Sequence, residues 1–240
     1  MWFPIESFHI PTPRLMETET VQNLPFGTIV RAYENLLGGG EFIYLQGVAS
    51  TVAGSVVTYN PFTGVTTLGA ATANDSSPIA LALAPTVANL FGWYQIGGVG
   101  VAANNGTAAA GNAFTKATGQ LGSAAVAGTQ ILGGAKILVA NSTTFTKTCT
   151  TRNGQTELFC PNLDGVFVGL PLSGTGIPGG TTVAAGANNG PSSRGSSAGS
   201  SQALVMSAAA TADGTVTVTF TRTNFSLLGG SRWFGQGQIT

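Results

Sequence analysis

Residues 55–68 read SVVTYNPFTGVTTL and hold the pattern that decides the fold of the chain. Residues 55–59 and 65–68 are rich in β-branched and aromatic side chains, which favour strands. Between them, residues 60–64 place proline and glycine where a tight turn requires them. The stretch therefore predicts a β-hairpin.

The same pattern of short strand-forming segments separated by turn residues extends over the rest of the sequence. Short apolar segments alternate with turn residues, and this spacing is typical of all-β proteins. No segment carries a helical periodicity over 12 residues. Residues 79–84 (IALALA) alternate large and small side chains, which suits the interior of a small barrel. Further predicted strands cover residues 41–48, 91–96, 130–139, 181–185, 204–207 and 215–221.

Composition changes along the chain predict four segments. Residues 1–25 form an extended arm, because its four prolines oppose helix formation. Residues 26–140 form a small β-barrel or sandwich-like domain. Residues 141–225 form a smaller β-sandwich-like domain with a flexible Gly/Ser loop at 186–201. Residues 226–240 form a Gly-rich tail.

The charge content excludes several classes of function. The chain has nine Lys+Arg and nine Asp+Glu, or 8 % charged residues, against about 25 % in an average soluble domain. A zero net charge opposes nucleic-acid binding driven by phosphate contacts, and polar interruptions of the apolar segments oppose a membrane span. A surface this neutral favours an assembly over a solitary monomer.

The two ends of the chain carry the candidate contact side chains. A solvated tail would not normally expose so many aromatic and large aliphatic residues. These side chains either contact neighbouring subunits or pack on their own domain. The candidates are Trp2, Phe3, Ile5, Phe8, Ile10, Trp233 and Phe234.

Cys149 and Cys160 are the two cysteines, and they flank a predicted hairpin turn at Asn153-Gly154. That hairpin would bring the two sulfurs opposite each other, close enough for a disulfide. Two reduced thiols are the alternative, as in a reducing cytosol. A zinc site is not expected, because zinc takes four ligands.

No arrangement of residues indicates catalysis. His9 is the single histidine and lies in the proline-rich arm, where nothing rigid would hold a general base. The sequence has neither a G-x-S-x-G nucleophile motif nor a phosphate-binding loop. We therefore expect no enzyme activity, no metal and no cofactor.

Two regions resemble known virion proteins. Residues 26–139, with PFGTIVR at 25–31, GGEFIYL at 39–45, GSVVTY at 54–59 and GWYQI at 92–96, resemble tailed-bacteriophage head decoration (cement) proteins. Residues 162–221, with SGTGIPGGTTV at 173–183, look like a β module of phage virion and fibre proteins. The insertion at 186–201 and the cysteine hairpin depart from that module.

The resemblance implies a structural protein on the outer capsid surface of a virion, synthesised in the host cytoplasm. It implies that the chain stabilises the shell by bridging subunits of the major capsid protein, as a homotrimer and without nucleic-acid or membrane partners. The alternative is a head-fibre, spike or tail-fibre adhesin whose C-terminal domain binds host-surface glycans. A major capsid shell protein is disfavoured, because no segment matches its long helix.

Overall fold

The structure is a computed structural model of the 240-residue chain. It describes residues 3–4, 15–34, 37–70, 77–104, 110–122, 129–132, 135–139, 144–163, 165–184, 202–221, 225–232 and 234–235. These residues fall into two compact units. The large unit comprises Trp2–Ser142 and Thr223–Thr240, and the small unit comprises Thr143–Arg222.

Nearly all regular structure in the described residues is β. The large unit contains β1 (Phe3–Pro4), β2 (Thr18–Glu19), β3 (Ile29–Glu34), β4 (Gly38–Gln46), β5 (Val56–Tyr59), β6 (Thr66–Leu68), β7 (Ile79–Ala82), β8 (Phe91–Ala103), β9 (Gly111–Asn112), β10 (Phe114–Lys116), β11 (Gln120–Gly122), β12 (Ile131–Leu132), β13 (Lys136–Val139), β19 (Phe225–Arg232) and β20 (Phe234–Gly235). The small unit contains β14 (Phe145–Thr151), β15 (Glu157–Cys160), β16 (Leu172–Ser173), β17 (Gln202–Val205) and β18 (Gly214–Phe220). A 3₁₀ turn spans Ala117–Gly119.

The long strand β8 organises the large unit. It pairs antiparallel with β4 along one edge, and with β2, β7 and β19 in succession along the other. β7 continues through β5 to β6, and a bridge between Gln46 and Val65 links the β6 end back to the end of β4. The strands β4, β8, β7, β5 and β6 therefore curl into a small half-barrel, which we call the barrel, in keeping with the curved sheet that residues 79–84 predict.

The two faces of these strands bury separate hydrophobic clusters. The barrel interior contains Ile43, Leu45, Tyr94 and Ile96 from β4 and β8. Phe42, Tyr44 and Trp93, one position along the same strands, point the other way. They join a second cluster with Val30 and Ala32 of β3 and with Leu15. Successive strand residues face opposite sides, so β4 and β8 stabilise two cores at once.

A third cluster joins β13 and β19 to the barrel. Leu228 of β19 and Ile137 of β13 pack with Val56, Ile79 and Leu81, which lie on β5 and β7. All four residues of β7 are buried. A strand that is covered on both faces needs a continuous apolar run rather than alternation, and IALA supplies one.

The small unit is one curled five-stranded sheet in the order β16-β18-β14-β15-β17. On β14, Cys149 and Thr151 are buried, while Thr146, Thr148 and Thr150 are exposed. This alternation reflects the period of two in the sequence FTKTCTT. Leu158, Leu204, Val218 and Phe220 from the neighbouring strands are also buried and supply an apolar core.

The all-β prediction is confirmed, and the predicted hairpin is present as β5 and β6. Two segments at the ends differ from the prediction. The predicted tail from residue 226 instead contributes most of β19, because Leu228 is buried in the third cluster. Part of the predicted arm also belongs to the large unit, since Leu15 is buried and β2 pairs with β8. The predicted loop 186–201 lies outside the described residues.

Candidate functional site

Most of the predicted contact side chains lie outside the described residues, namely Trp2, Ile5, Phe8, Ile10 and Trp233. The backbone of the other two is described. Phe3 pairs with Tyr33 of β3, and Phe234 pairs with Leu132 of β12. Both pairings lie within the chain itself, at strand positions of the large unit. Their role as contacts to other subunits stays a prediction.

The two cysteines are joined. Cys149 and Cys160 form a disulfide between β14 and β15, with their Cα atoms 4.3 Å apart. The turn between the two strands contains Asn153 and Gly154, as the sequence predicted, and Gly154 adopts a positive φ of 75°. The Asp213 carboxylate accepts a hydrogen bond from the backbone N–H of Asn153 at 2.9 Å and fixes the turn.

The turn between β5 and β6 presents an aromatic side chain to solvent. The Asn60 side-chain oxygen accepts hydrogen bonds from the backbone N–H groups of Phe62 at 2.8 Å and Thr63 at 3.2 Å. The Asn60 carbonyl accepts a third from the N–H of Gly64 at 2.9 Å. These bonds hold the turn in one conformation, and the Phe62 side chain at its tip is 95 % exposed. An ordered, exposed aromatic ring is a typical anchor of a protein interface.

Other large apolar side chains are exposed on the same unit. On β3, Ile29, Arg31 and Tyr33 face outward while Val30 and Ala32 face the core. Among the described residues, all the exposed large hydrophobic side chains belong to the large unit: Val21, Ile29, Tyr33, Val52, Phe62, Val65, Val87 and Leu138. In the described part of the small unit no such side chain is exposed. The large unit therefore carries the candidate interaction surface.

Sequence reasoning placed the contact residues at the chain ends and missed this surface. The turn around Phe62 was recognised, and a signal was available, because the tip of a tight turn has no neighbouring strand to cover a large ring. For Ile29 and Tyr33 the sequence carries no comparable signal. Which face of β3 is covered depends on strands that are distant in the chain.

A pair of oppositely charged side chains lies beside a shallow depression in the large unit. Arg31 and Glu41 form an ion pair on the surface, with Nη2 and Oε1 3.0 Å apart. They border a shallow depression of about 220 Å³ that is also lined by Ala32, Gly39, Gly40 and Gly98. This volume lies below the range of roughly 300–1,000 Å³ found in small-molecule sites. The depression does not define a ligand site.

Two buried tyrosines differ in their hydrogen bonding. The Tyr44 hydroxyl donates to a Glu19 carboxylate oxygen and accepts from the backbone N–H of Asn23 at 3.3 Å. Burial, together with the hydrogen bond to Glu19, raises the pKa of Tyr44. The Tyr94 hydroxyl is buried and has no hydrogen-bond partner among the described residues. Burial raises the pKa of Tyr94 to about 12, so both phenols stay protonated at neutral pH.

The hydroxyls of Thr66 and Thr86 lower the pKa of Tyr94, although burial outweighs them. Both donate to backbone carbonyls, Thr66 to Gln46 at 2.8 Å and Thr86 to Ala84 at 3.2 Å. A hydroxyl has one proton to donate, and these two are committed. Neither threonine therefore donates a hydrogen bond to the Tyr94 hydroxyl.

No group of three or more metal-ligating side chains occurs among the residues that the structure describes. In the same part of the chain, no helix has the length and apolar character that crossing a membrane demands. His9 lies outside the described residues. The expected lack of a metal, a cofactor and a catalytic site stays a prediction.

Comparison with known proteins gives no match to any family model, curated protein or solved structure. What the chain does must therefore be inferred from its own composition and surface. The distribution of exposed apolar side chains between the two units is the most informative feature for inferring function.

Proposed function

We propose that this chain is a structural protein of a bacteriophage virion that decorates and stabilises the outer capsid shell. In this proposal the large unit docks on the major capsid protein and bridges its subunits. The small unit faces solvent. The chain associates with copies of itself as a homotrimer and carries out no reaction.

The observation that carries the proposal is the asymmetry between the two units. The exposed large hydrophobic side chains of the described residues all lie on the large unit, and the chain has only 8 % charged residues. An apolar, weakly charged surface gains free energy when another protein covers it. A unit without such side chains has no equivalent reason to be covered.

Phe62 is the expected anchor of this contact. Its turn is already ordered by the three hydrogen bonds to Asn60, so docking does not have to order the backbone. Complete burial of one such ring contributes about 1.5–3 kcal/mol. The ring is exposed and belongs to none of the three hydrophobic clusters, so we expect its removal to leave the fold intact.

The test is binding of the purified chain to capsid shells of the encoding phage that lack it. Phe62→Ser is expected to weaken binding roughly 10- to 100-fold, which corresponds to about 1.4–2.8 kcal/mol. Gln155→Ser, at an exposed position of the small unit, is the matched control and is expected to bind like the unmodified chain. Equal affinity of the two variants would contradict docking through the large unit.

The predicted role of the arm is tested by deleting residues 1–14. Removal of residues 1–14 takes away Trp2, Phe3, Ile5, Phe8 and Ile10 but retains Leu15 and Glu19. Those two residues belong to the fold, because Leu15 is buried and Glu19 accepts the hydrogen bond of Tyr44. We expect weaker binding to shells, and unchanged affinity would remove the arm from the interface.

Copy number separates decoration from the adhesin alternative. A decoration protein is expected at a number comparable to the capsid subunits, and its loss should make heads burst under osmotic shock or heat. An adhesin is expected at low copy number, and its loss should reduce adsorption while heads stay intact. The second result would overturn the proposal.

A further inference from the structure

In the sheet of the small unit, β14 and β15 are joined by the shortest ladder of backbone pairs. β14 pairs with β18 through seven register pairs, and β15 pairs with β17 through four. Between β14 and β15 the ladder consists of one pair, Thr150 with Phe159. This junction, which we call the seam, is therefore the point where the backbone holds the sheet least.

A proline explains why the ladder stops. Continuing the register from Thr150 and Phe159 places Cys149 opposite Cys160 and Thr148 opposite Pro161. Proline has no N–H to donate, so the ladder cannot extend through this position. The disulfide lies between the last ladder pair and the proline.

Beyond the proline a side-chain contact takes over. The Lys147 ammonium donates a hydrogen bond to the Asn162 side-chain oxygen, and the same register places these two residues opposite each other. This contact is exposed, and hydrogen bonds that compete with water contribute little net stability. The covalent link is therefore the strongest connection across the seam.

The other junctions of the small unit have backbone support. The segment 181–184 links the two outer strands, through bridges from Thr182 to Pro171 and from Val183 to Met206. Backbone hydrogen bonds of 2.8 to 3.0 Å accompany both bridges. Backbone hydrogen bonds thus link each strand of the sheet to its neighbours, and the seam has the fewest backbone pairs.

We propose that the Cys149–Cys160 disulfide is a redox latch that closes the small unit at the seam. A dithiol reductant converts the disulfide into two thiols and is itself oxidised to a disulfide. The seam then opens while the other junctions hold. This property of the small unit is independent of the proposed capsid contact, which involves the large unit.

Burial makes the latch slow to release. The two cysteines are only 1 % and 0 % exposed, so a reductant cannot reach the sulfurs while the seam is closed. Thiol exchange needs direct attack of a thiolate on a sulfur. A transient local movement that exposes a sulfur must therefore precede reduction, and stable opening of the seam follows it.

Hydrogen exchange of the full chain, with and without tris(carboxyethyl)phosphine, tests the latch. The disulfide closes a loop of 11-residue sequence separation. Removing such a cross-link changes the equilibrium between the closed and open states by up to roughly 100-fold. After reduction, we expect those amides of residues 157–160 that face β14 to exchange faster by up to this factor, while those that face β17 stay protected. Amides of residues 215–219, in the β14–β18 ladder, should keep their protection.

The double variant Cys149→Ala with Cys160→Ala is the matched control. It should exchange like the reduced chain, and reductant should not change it further. Unchanged exchange at residues 157–160 after reduction would overturn the latch, and so would equal acceleration throughout the small unit, which means unfolding rather than local opening. If the double variant does not fold, the reductant experiment on the unmodified chain decides alone.

The rate of reduction gives a second test. With rising dithiothreitol concentration, the rate of reduction should level off at the rate at which the buried sulfurs become transiently exposed. A rate that stays proportional to dithiothreitol throughout would show that the sulfurs are reached without opening, and would overturn the burial argument.

Discussion

The two units of the chain are stabilised by different means. The large unit packs three hydrophobic clusters around shared strands, with Phe42, Tyr44, Trp93 and Tyr94 as their largest members. The small unit has a mainly aliphatic core and adds a covalent link between two strands. Small domains bury a smaller fraction of their surface and more often need such a link. The comparison predicts that core substitutions have the largest effect on the stability of the large unit, and that loss of the disulfide has the largest effect on the stability of the small unit.

The largest effect should come from the aromatic core of the large unit. Trp93 is buried beside Tyr44, with ring centroids 5.4 Å apart. Trp93→Ala leaves a large cavity and should lower the free energy of unfolding of this unit by about 3–5 kcal/mol. Hydrogen exchange in urea, followed separately in each unit, measures the change. A loss confined to the small unit would contradict this assignment of the core.

Removing the disulfide should have the next largest effect, confined to the small unit. Cys149→Ala with Cys160→Ala should lower its stability by about 3 kcal/mol, because the unfolded chain regains the freedom that the cross-link removes. Calorimetry of the full chain should show one transition moving to lower temperature and one staying in place. Equal shifts of both transitions would mean that the units do not unfold separately.

A glycine in the exposed turn gives an intermediate effect. Gly64 has a φ of +69°, and an added Cβ would lie 2.4 Å from Cγ of Phe26. Gly64→Ala should therefore cost about 1–3 kcal/mol, the usual range for a strained backbone position. Gly179→Ala is the control, because nothing lies within 4 Å of its added Cβ. Urea unfolding should separate the two variants, and equal stability would remove the packing argument for this turn.

The two buried tyrosines should give the smallest effects, in opposite directions. Tyr44→Phe loses the hydrogen bond to Glu19 and should cost about 1 kcal/mol at pH 7. Tyr94→Phe removes a hydroxyl without a partner among the described residues, so stability should be unchanged or slightly higher. A clear loss in Tyr94→Phe would reveal a hydrogen bond to that hydroxyl.

The same tyrosine predicts a response to alkaline pH. Tyr94 has a pKa of about 12 in the folded chain against 10 when unfolded. Between these values the unfolded state releases a proton that the folded state retains, so stability falls as pH rises from 10 to 12. Urea unfolding across this range should show a shallower decline in Tyr94→Phe. An identical decline in both chains would contradict the raised pKa.

Local features of the fold could be predicted from the sequence. The hairpin of β5 and β6 and the turn at Asn153-Gly154 follow from residues that are neighbours in the chain. The pairing of β19 with β8 could not be predicted, because its register depends on residues more than a hundred positions apart. A segment as rich in glycine as FSLLGGSR also lacks the β-branched residues that mark strands.

The candidate surface was predicted less well than the fold. Aromatic residues at the chain ends were conspicuous, whereas Phe62 was counted as part of a turn. A turn motif defines the backbone, but exposure depends on what surrounds it. The short ladder at the seam could not be predicted either, since the effect of Pro161 depends on which residue faces it.

The route of the chain between the units has an evolutionary consequence. The small unit is inserted between β13 and β19, which are neighbouring antiparallel strands, with Val139 opposite Leu227. A short turn between these strands would close the large unit without the insert, and insertions are best tolerated at such points. A gene could therefore gain, lose or exchange this cassette by recombination while the host scaffold keeps its strand order.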